Sequence, residues 1–171
     1  LMYNKINNIV IDSSFIPNKN GKTLLARNKF FKNKNCNKLN IITDSYGTPL
    51  TAFLSKGNFN DCRLFNPTYN SLNKSIKKSS KFLLADKGYI SKYIRNTLSN
   101  DNISLMTPTK KGATKTFYFC KKLYKKRITV EQTFQKIKAF RRIQIRYDSN
   151  HHIFSEFIFL SCFVLSIGLY N

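Results

Sequence analysis

The sequence predicts an α/β fold, a mixed five-stranded sheet with helices on both faces. Three observations predict it. Residues 8–54 hold three β-branched, alternating segments joined by turn chemistry, which reads as an antiparallel meander. Further along, helical patterns alternate with short apolar segments, giving the order βββαβαβ-α. One of those segments, Lys81 to Ala85 (KFLLA), is apolar after its lysine, the mark of a strand buried on both faces.

Asn8 to Ile16 (NIVIDSSFI) is the first strand and carries Asp12. A Lys/Asn-rich loop with Gly21 follows, then Leu39 to Thr43 (LNIIT) as the second strand. Asp44-Ser-Tyr-Gly47 supplies a turn, and Pro49 to Leu54 returns as the third strand. Asp61 to Ser79 reads as one helix, with Leu64, Phe65, Leu72 and Ile76 as its apolar side. The strand Lys81 to Ala85 ends at Asp86. Ser91 to Ser99 is a second helix capped by Ser91, and Ile103 to Met106 a fifth strand stopped by Pro108. A basic linker, Lys110 to Lys122, leads to a long helix holding Glu131. The run Phe157 to Tyr170 is too short for the ~20 residues that span a bilayer, so a buried terminal helix is expected. The chain reads as one domain over residues 1–171, without internal repeats. It starts on Leu, runs straight into a strand and shows no signal-peptide pattern, which fits a fragment or the second half of a split protein.

Charge narrows the function. The chain has 30 Lys and Arg against 8 Asp and Glu, for a formal net charge of +22. AT-rich coding inflates Lys, Asn and Ile, but it does not deplete acids this far. A surface so basic seeks polyanions, nucleic acid first, with ribosomal RNA and anionic lipid behind it. The four cysteines, Cys36, Cys62, Cys120 and Cys162, form no CxxC and have no His at zinc-ligand spacing. Reduced, mostly buried thiols in an intracellular compartment are expected.

Against this scarcity of acids, three carboxylates stand out: Asp12, Asp86 and Glu131. Tyr124, Arg127, Glu131 and Lys138 are spaced so that a continuous helix places all four within an arc of roughly 60°. Leu123, Val130, Phe134 and Ile137 fall on the adjacent face, so the polar row runs along the edge of a core-facing stripe. Asp86 ends a strand, where ligand sites of open α/β sheets gather. Carboxylates converging from separate elements can hold two Mg²⁺ ions ~4 Å apart for in-line phosphoryl displacement. Oxygen-only ligands suit hard divalent cations. Arg127 can grip a phosphate bidentately, Lys138 as a point charge and Tyr124 through its hydroxyl. Each residue also has a plain reading alone. Asp12 can be a strand-end aspartate, Asp86 the start of a turn, and Glu131 a surface partner of Arg127 or Gln135. Asp44 and Asp61 read as turn and helix-cap residues, and His151 and His152 as an exposed loop.

The motif Tyr124-x2-Arg127-x3-Glu131-x6-Lys138 resembles the signature of DDE transposases of bacterial insertion sequences with an RNase H-like catalytic domain. Asp12 in VIDSS and Asp86 in LLADKGY are similar to that family's two catalytic aspartates. Asn58 to Asp61 (NFND) resembles its Asn-x-x-Asp, and Phe140 to Asp148 followed by an apolar helix is similar too. The resemblance implies that Asp12, Asp86 and Glu131 are catalytic metal ligands for two Mg²⁺, with Mn²⁺ able to substitute, and that Tyr124, Arg127 and Lys138 contact DNA phosphates. It implies Mg-dependent cleavage at terminal inverted repeats and strand transfer to target DNA, by a homodimer in the DNA complex. It places the protein in the bacterial cytoplasm, nucleoid-associated and off the membrane. The family usually carries an N-terminal DNA-binding region, absent here, so a separate N-terminal polypeptide is a further expected partner. The chain also has no Trp, which some members use to stack a flipped base. Phe117, Tyr118 or Phe119 could stack one, although strand or core aromatics is their simpler reading. Two other functions are compatible with the same residues: a decayed, non-catalytic nucleic-acid-binding remnant, and a structure-specific RNase H-like nuclease.

Overall fold

The computed structural model describes residues 6–109, 112 and 117–168. Its strands are β1 (Asn8–Pro17), β2 (Ala26–Asn28), β3 (Lys34–Asp44), β4 (Pro49–Lys56), β5 (Phe82–Leu84) and β6 (Ser104–Met106). Its helices are α1 (Asp61–Asn70), α2 (Lys74–Ser79), α3 (Lys92–Asn100), α4 (Lys121–Tyr124), α5 (Ile128–Ala139), α6 (Arg141–Gln144) and α7 (His151–Ser166). The sheet is mixed. β1, β3 and β4 pair antiparallel, and β5 and β6 continue parallel to β1. The five expected strands are all present. The short β2 is a sixth, from the Lys/Asn-rich loop, and it pairs with β3 at Lys34 to Cys36, next to the residues that pair with β4.

Alternation along the central strand splits the core in two, because successive side chains of a strand point to opposite faces. Ile9 and Ile11 face α1 and α3, packing with Phe65, Tyr69, Ile94 and Leu98. Val10 and Ile16 face the other way, onto Val130, Phe134 and Ile137 of α5 and Phe154 and Ile158 of α7. Helices therefore cover both faces, as the sequence predicts.

Four details differ from expectation. The helix expected over Asp61 to Ser79 is two helices. The helix breaks at Ser71 to Asn73 although Leu72 stays in the core, because the Asn73 side chain accepts from Ser75 N to cap α2, a role asparagine takes more readily than a mid-helix position. The terminal run forms α7, but only one stripe of it is buried. Leu160 and Phe163 are more than half exposed, because the helix packs mainly on β4. His151 and His152 form the first turn of α7 rather than a loop. Of the cysteines only Cys36 is buried; the other three are partly buried. The linker expected from Lys110 lies partly outside the described residues. No helix among the described residues is long and apolar enough to cross a membrane.

Candidate active site

β1 pairs with β5 from Asn8 opposite Phe82 only as far as Val10 opposite Leu84. Asp12 and Asp86 each lie two residues beyond that last pair, so they stand at the same level where the two parallel strands part. Their even spacing from Val10 and Leu84 puts both on the α5 side of the sheet. A parting of parallel strands at their carboxyl ends opens a crevice, and α5 crosses it.

The helix supplies the other half. Tyr124 ends α4, Lys125–Arg127 form one 3₁₀ turn, and α5 begins at Ile128. Backbone angles stay right-handed helical from Tyr124 to Ile128, so the polar row runs continuously through this tighter turn. Arg127 joins helix to strand. Its Nη1 donates to Asp12 Oδ2 at 2.8 Å and its Nη2 to Glu131 Oε1. Asp12 Oδ1 accepts from Ser13 N at 2.9 Å. The Tyr124 hydroxyl donates to Ala85 O at 3.3 Å, beside the start of the Asp86 turn. Asp86 is exposed and caps the 3₁₀ turn Lys87–Tyr89, accepting from Lys87 N. Lys138 Nζ donates to Ser14 Oγ at 2.6 Å and to Phe15 O at 2.9 Å, fastening α5 to β1.

The electrostatics follow from burial and these partners. Desolvation raises the Asp12 carboxyl above its ordinary range, against the pull of Arg127 and of the Ser13 N–H. Burial raises the Tyr124 phenol, so at neutral pH it stays a hydrogen-bond donor. Desolvation works against the charge on Arg127, but Asp12, Glu131 and Asp86 together raise its pKa, so the field of all three expected acids meets at one guanidinium. Burial lowers the Lys138 ammonium.

The structure thus brings Asp12, Arg127 and Glu131 into direct contact, with Tyr124 and Asp86 alongside. Lys138 sits one step away on β1. The carboxylates do not close into a ligand cluster: among the described residues no three His, Cys, Asp or Glu side chains stand close enough to hold one ion. Asp12 and Glu131 instead converge on the Arg127 cation. The donor set is carboxylate oxygen alone, which fits a hard divalent cation.

Two neighbours were not legible as site residues. Asp61, expected as a cap, is the first residue of α1, whose cap is Asn60; its Oδ1 accepts from Ser13 Oγ at 2.6 Å and pairs with Lys38 Nζ at 2.7 Å. The available signal was the Asn-x-x-Asp spacing at Asn58 to Asp61. Lys38 gave none beyond being a lysine next to an apolar strand. Phe117, Tyr118 and Phe119 are neither strand nor core residues. They are exposed on an irregular segment, and Arg95 stacks 3.7 Å from the Phe117 ring centroid.

A desolvated acid has a measurable consequence. Asp12 is harder to ionise in the fold than in the unfolded chain, so its ionisation lowers stability as pH rises above 3.8 through the folded value. Asp12→Asn should therefore melt above the parent at pH 7 without added metal. That advantage should vanish near pH 3, where the parent carboxyl is neutral in both states. Thermal melts at the two pH values check it; a variant less stable at pH 7 would contradict the sign.

Residues 4–167 match the transposase DDE domain family, and the chain belongs to that family. It is 28% identical over 127 residues to the protein assigned as transposase for insertion sequence element IS6501 in Brucella ovis, covering 73% of this chain and 93% of that one. It is 30% identical over 134 residues to the protein so assigned for IS402 in Burkholderia cepacia, covering 73% of this chain and 60% of that one. The solved Mos1 mariner paired-end complex with Mn superposes with a TM-score of 0.50 and 14% identity. That match covers 96% of this chain and 54% of the Mos1 chain, and it shows the fold, which is RNase H-like. The chain is thus a DDE transposase domain of the insertion-sequence type that spans little more than half of the Mos1 chain.

Proposed function

We propose that this chain cuts DNA at the ends of an insertion sequence and joins the freed 3′ end to a target, with Asp12, Asp86 and Glu131 holding two Mg²⁺ that Mn²⁺ can replace. The observation that carries the proposal is the convergence of a strand carboxylate and a helix carboxylate on one guanidinium, beside the turn that bears Asp86. When bound, such ions activate the attacking oxygen and stabilise the leaving one. The chain's own groups do the rest. Tyr124 offers a neutral hydroxyl to a phosphate oxygen. Arg127 presents a planar fork that suits a phosphate as well as it suits Asp12. Lys138 spends two of its three N–H donors on β1 and keeps one for a phosphate.

The Mos1 structure is of a paired-end complex, which supports DNA ends as the partner; the assembly in this reading is a homodimer bridging two inverted-repeat ends. In this reading the complex works on the nucleoid in the cytoplasm. The test combines binding and cleavage. With a net charge of +22, log affinity for duplex DNA should fall with log salt at a slope of about −4 or steeper, as ~5 neutralised phosphates give. Mg²⁺ should then permit nicking of a plasmid carrying the terminal repeats. A flat salt response, or nicking that persists in EDTA, would overturn the reading.

A further inference from the structure

We propose that Asp61 is a positioning residue for this site: it holds the strand that carries Asp12 and packs against the turn that follows Asp86 from the face of the sheet opposite α5. The inference rests on the metal-site reading above. Asp12 and Ser13 are successive residues of β1 and so point to opposite faces. The Ser13 peptide is nonetheless joined to the site, because its N–H donates to Asp12 Oδ1 at 2.9 Å. Behind the sheet the Ser13 hydroxyl donates to Asp61 Oδ1 at 2.6 Å. The other oxygen of Asp61 lies against the Asp86 turn: a Cβ built on Gly88 would meet it at 2.7 Å, so a side chain there would push the carboxylate aside. The next residue of α1 adds a second tie, Cys62 Sγ donating to Gly88 O at 3.0 Å. One carboxylate at the start of α1 thus sits between the two strand ends that bear the catalytic aspartates.

Charge singles it out further. Lys38 is buried at 6% exposure, pairs with Asp61 Oδ1 at 2.7 Å and donates to Phe59 O at 3.2 Å. An ion pair of this kind, with Lys38 buried and the Asp61 side chain 28% exposed, contributes little to stability. Stability alone therefore does not account for a carboxylate here, in a chain with 8 acids. Geometric definition of Asp12 and the Asp86 turn does account for it, as outer-shell carboxylates define metal ligands elsewhere.

The experiment measures Mn²⁺ binding to the full chain by the electron paramagnetic resonance of free Mn²⁺, together with the Mg²⁺ concentration for half-maximal DNA nicking and the DNA affinity. Asp12→Asn is the control for the metal site itself and should abolish Mn²⁺ binding. Asp61→Asn should raise the Mn²⁺ concentration for half-occupancy about tenfold and the Mg²⁺ requirement alike, while DNA affinity holds. Because Asp61→Asn strands a buried lysine, the double variant Asp61→Asn with Lys38→Met is measured beside it. Ser13→Ala cuts the link without touching the ion pair, and Ser13→Thr, which keeps the hydroxyl, should restore parent behaviour. If the double variant and Ser13→Ala bind Mn²⁺ as the parent does while Asp12→Asn does not, the metal reading stands and the positioning role is overturned. If Asp12→Asn binds Mn²⁺ like the parent, the metal reading itself fails, and the positioning role fails with it.

Discussion

Glu131→Gln is expected to reduce Mg²⁺-dependent cleavage by about 10³-fold, the equivalent of ~4 kcal/mol of transition-state stabilisation that a metal-bound carboxylate supports. The substitution keeps the shape of the side chain and removes its charge. The fold should tolerate it, because Glu131 is half exposed and its contact is a helix-surface pair with Arg127. Such pairs contribute at most ~1 kcal/mol. Arg127 keeps its bond to Asp12 in the variant, so the crevice retains its clasp. DNA binding should be unchanged or tighter, since a carboxylate beside the phosphates is gone. Arg127→Ala should differ in kind. It removes the fork that suits a phosphate and leaves the part-buried Asp12 without its cation, so binding and cleavage should fall together. Any N-terminal polypeptide must be present in both assays, so that assembly does not limit either. If Glu131→Gln cuts as fast as the parent, the glutamate is a surface partner of Arg127 and the metal assignment is wrong.

Much of this site was legible because it is written in periodicities. Alternation along Asn8 to Ile16 tells which residues share a face with Asp12, and the register with β5 then fixes Asp86 beside it. Helical spacing puts Tyr124, Arg127 and Glu131 in one row, and the 3₁₀ turn between them perturbs that row without breaking it. What was not legible depends on pairing between distant segments. Nothing local marks Lys38 as buried or Asp61 as its partner, because the pair spans β3 and α1. Lys138 looked like a free phosphate clamp by spacing. Its bonds to Ser14 and Phe15 exist only because α5 lies along β1. The short β2 was hidden for a similar reason. Three residues, Ala-Arg-Asn, carry no strand signal of their own, and the ladder on the start of β3 recruits them.

The largest effect on folding is expected from Arg146, a residue that composition would place on the surface of so basic a protein. Arg146 is fully buried. Its Nε donates to Asp148 O, Nη1 to Thr23 O and Asn37 Oδ1, and Nη2 to Ser149 O, all between 2.8 and 3.0 Å. These acceptors belong to three separate segments: the loop after β1, the strand β3, and the turn leading into α7. The backbone of Arg146 is held too, its N–H donating to Pro17 O and its carbonyl accepting from Lys19 N. The backbone of this one residue thus ties the end of the strand that bears Asp12, and its guanidinium ties the loop after β1 and β3, to the turn before α7. Burial lowers its pKa and Asp148 raises it, but an arginine stays charged. Arg146→Met fills similar length and supplies no donor, leaving the buried Asn37 Oδ1 and three part-buried carbonyls without their partner. Each such loss costs roughly 1–3 kcal/mol, and breaking the whole network should cost about 3–5 kcal/mol. For a chain of this size that lowers the melting temperature by roughly 10 °C. Arg146→Lys should recover only part of it, because one ammonium cannot reach acceptors on three segments. Denaturant unfolding of the two variants measures the difference. A loss below ~1 kcal/mol in Arg146→Met would mean that water satisfies those acceptors instead and that the guanidinium is not what holds the three segments together.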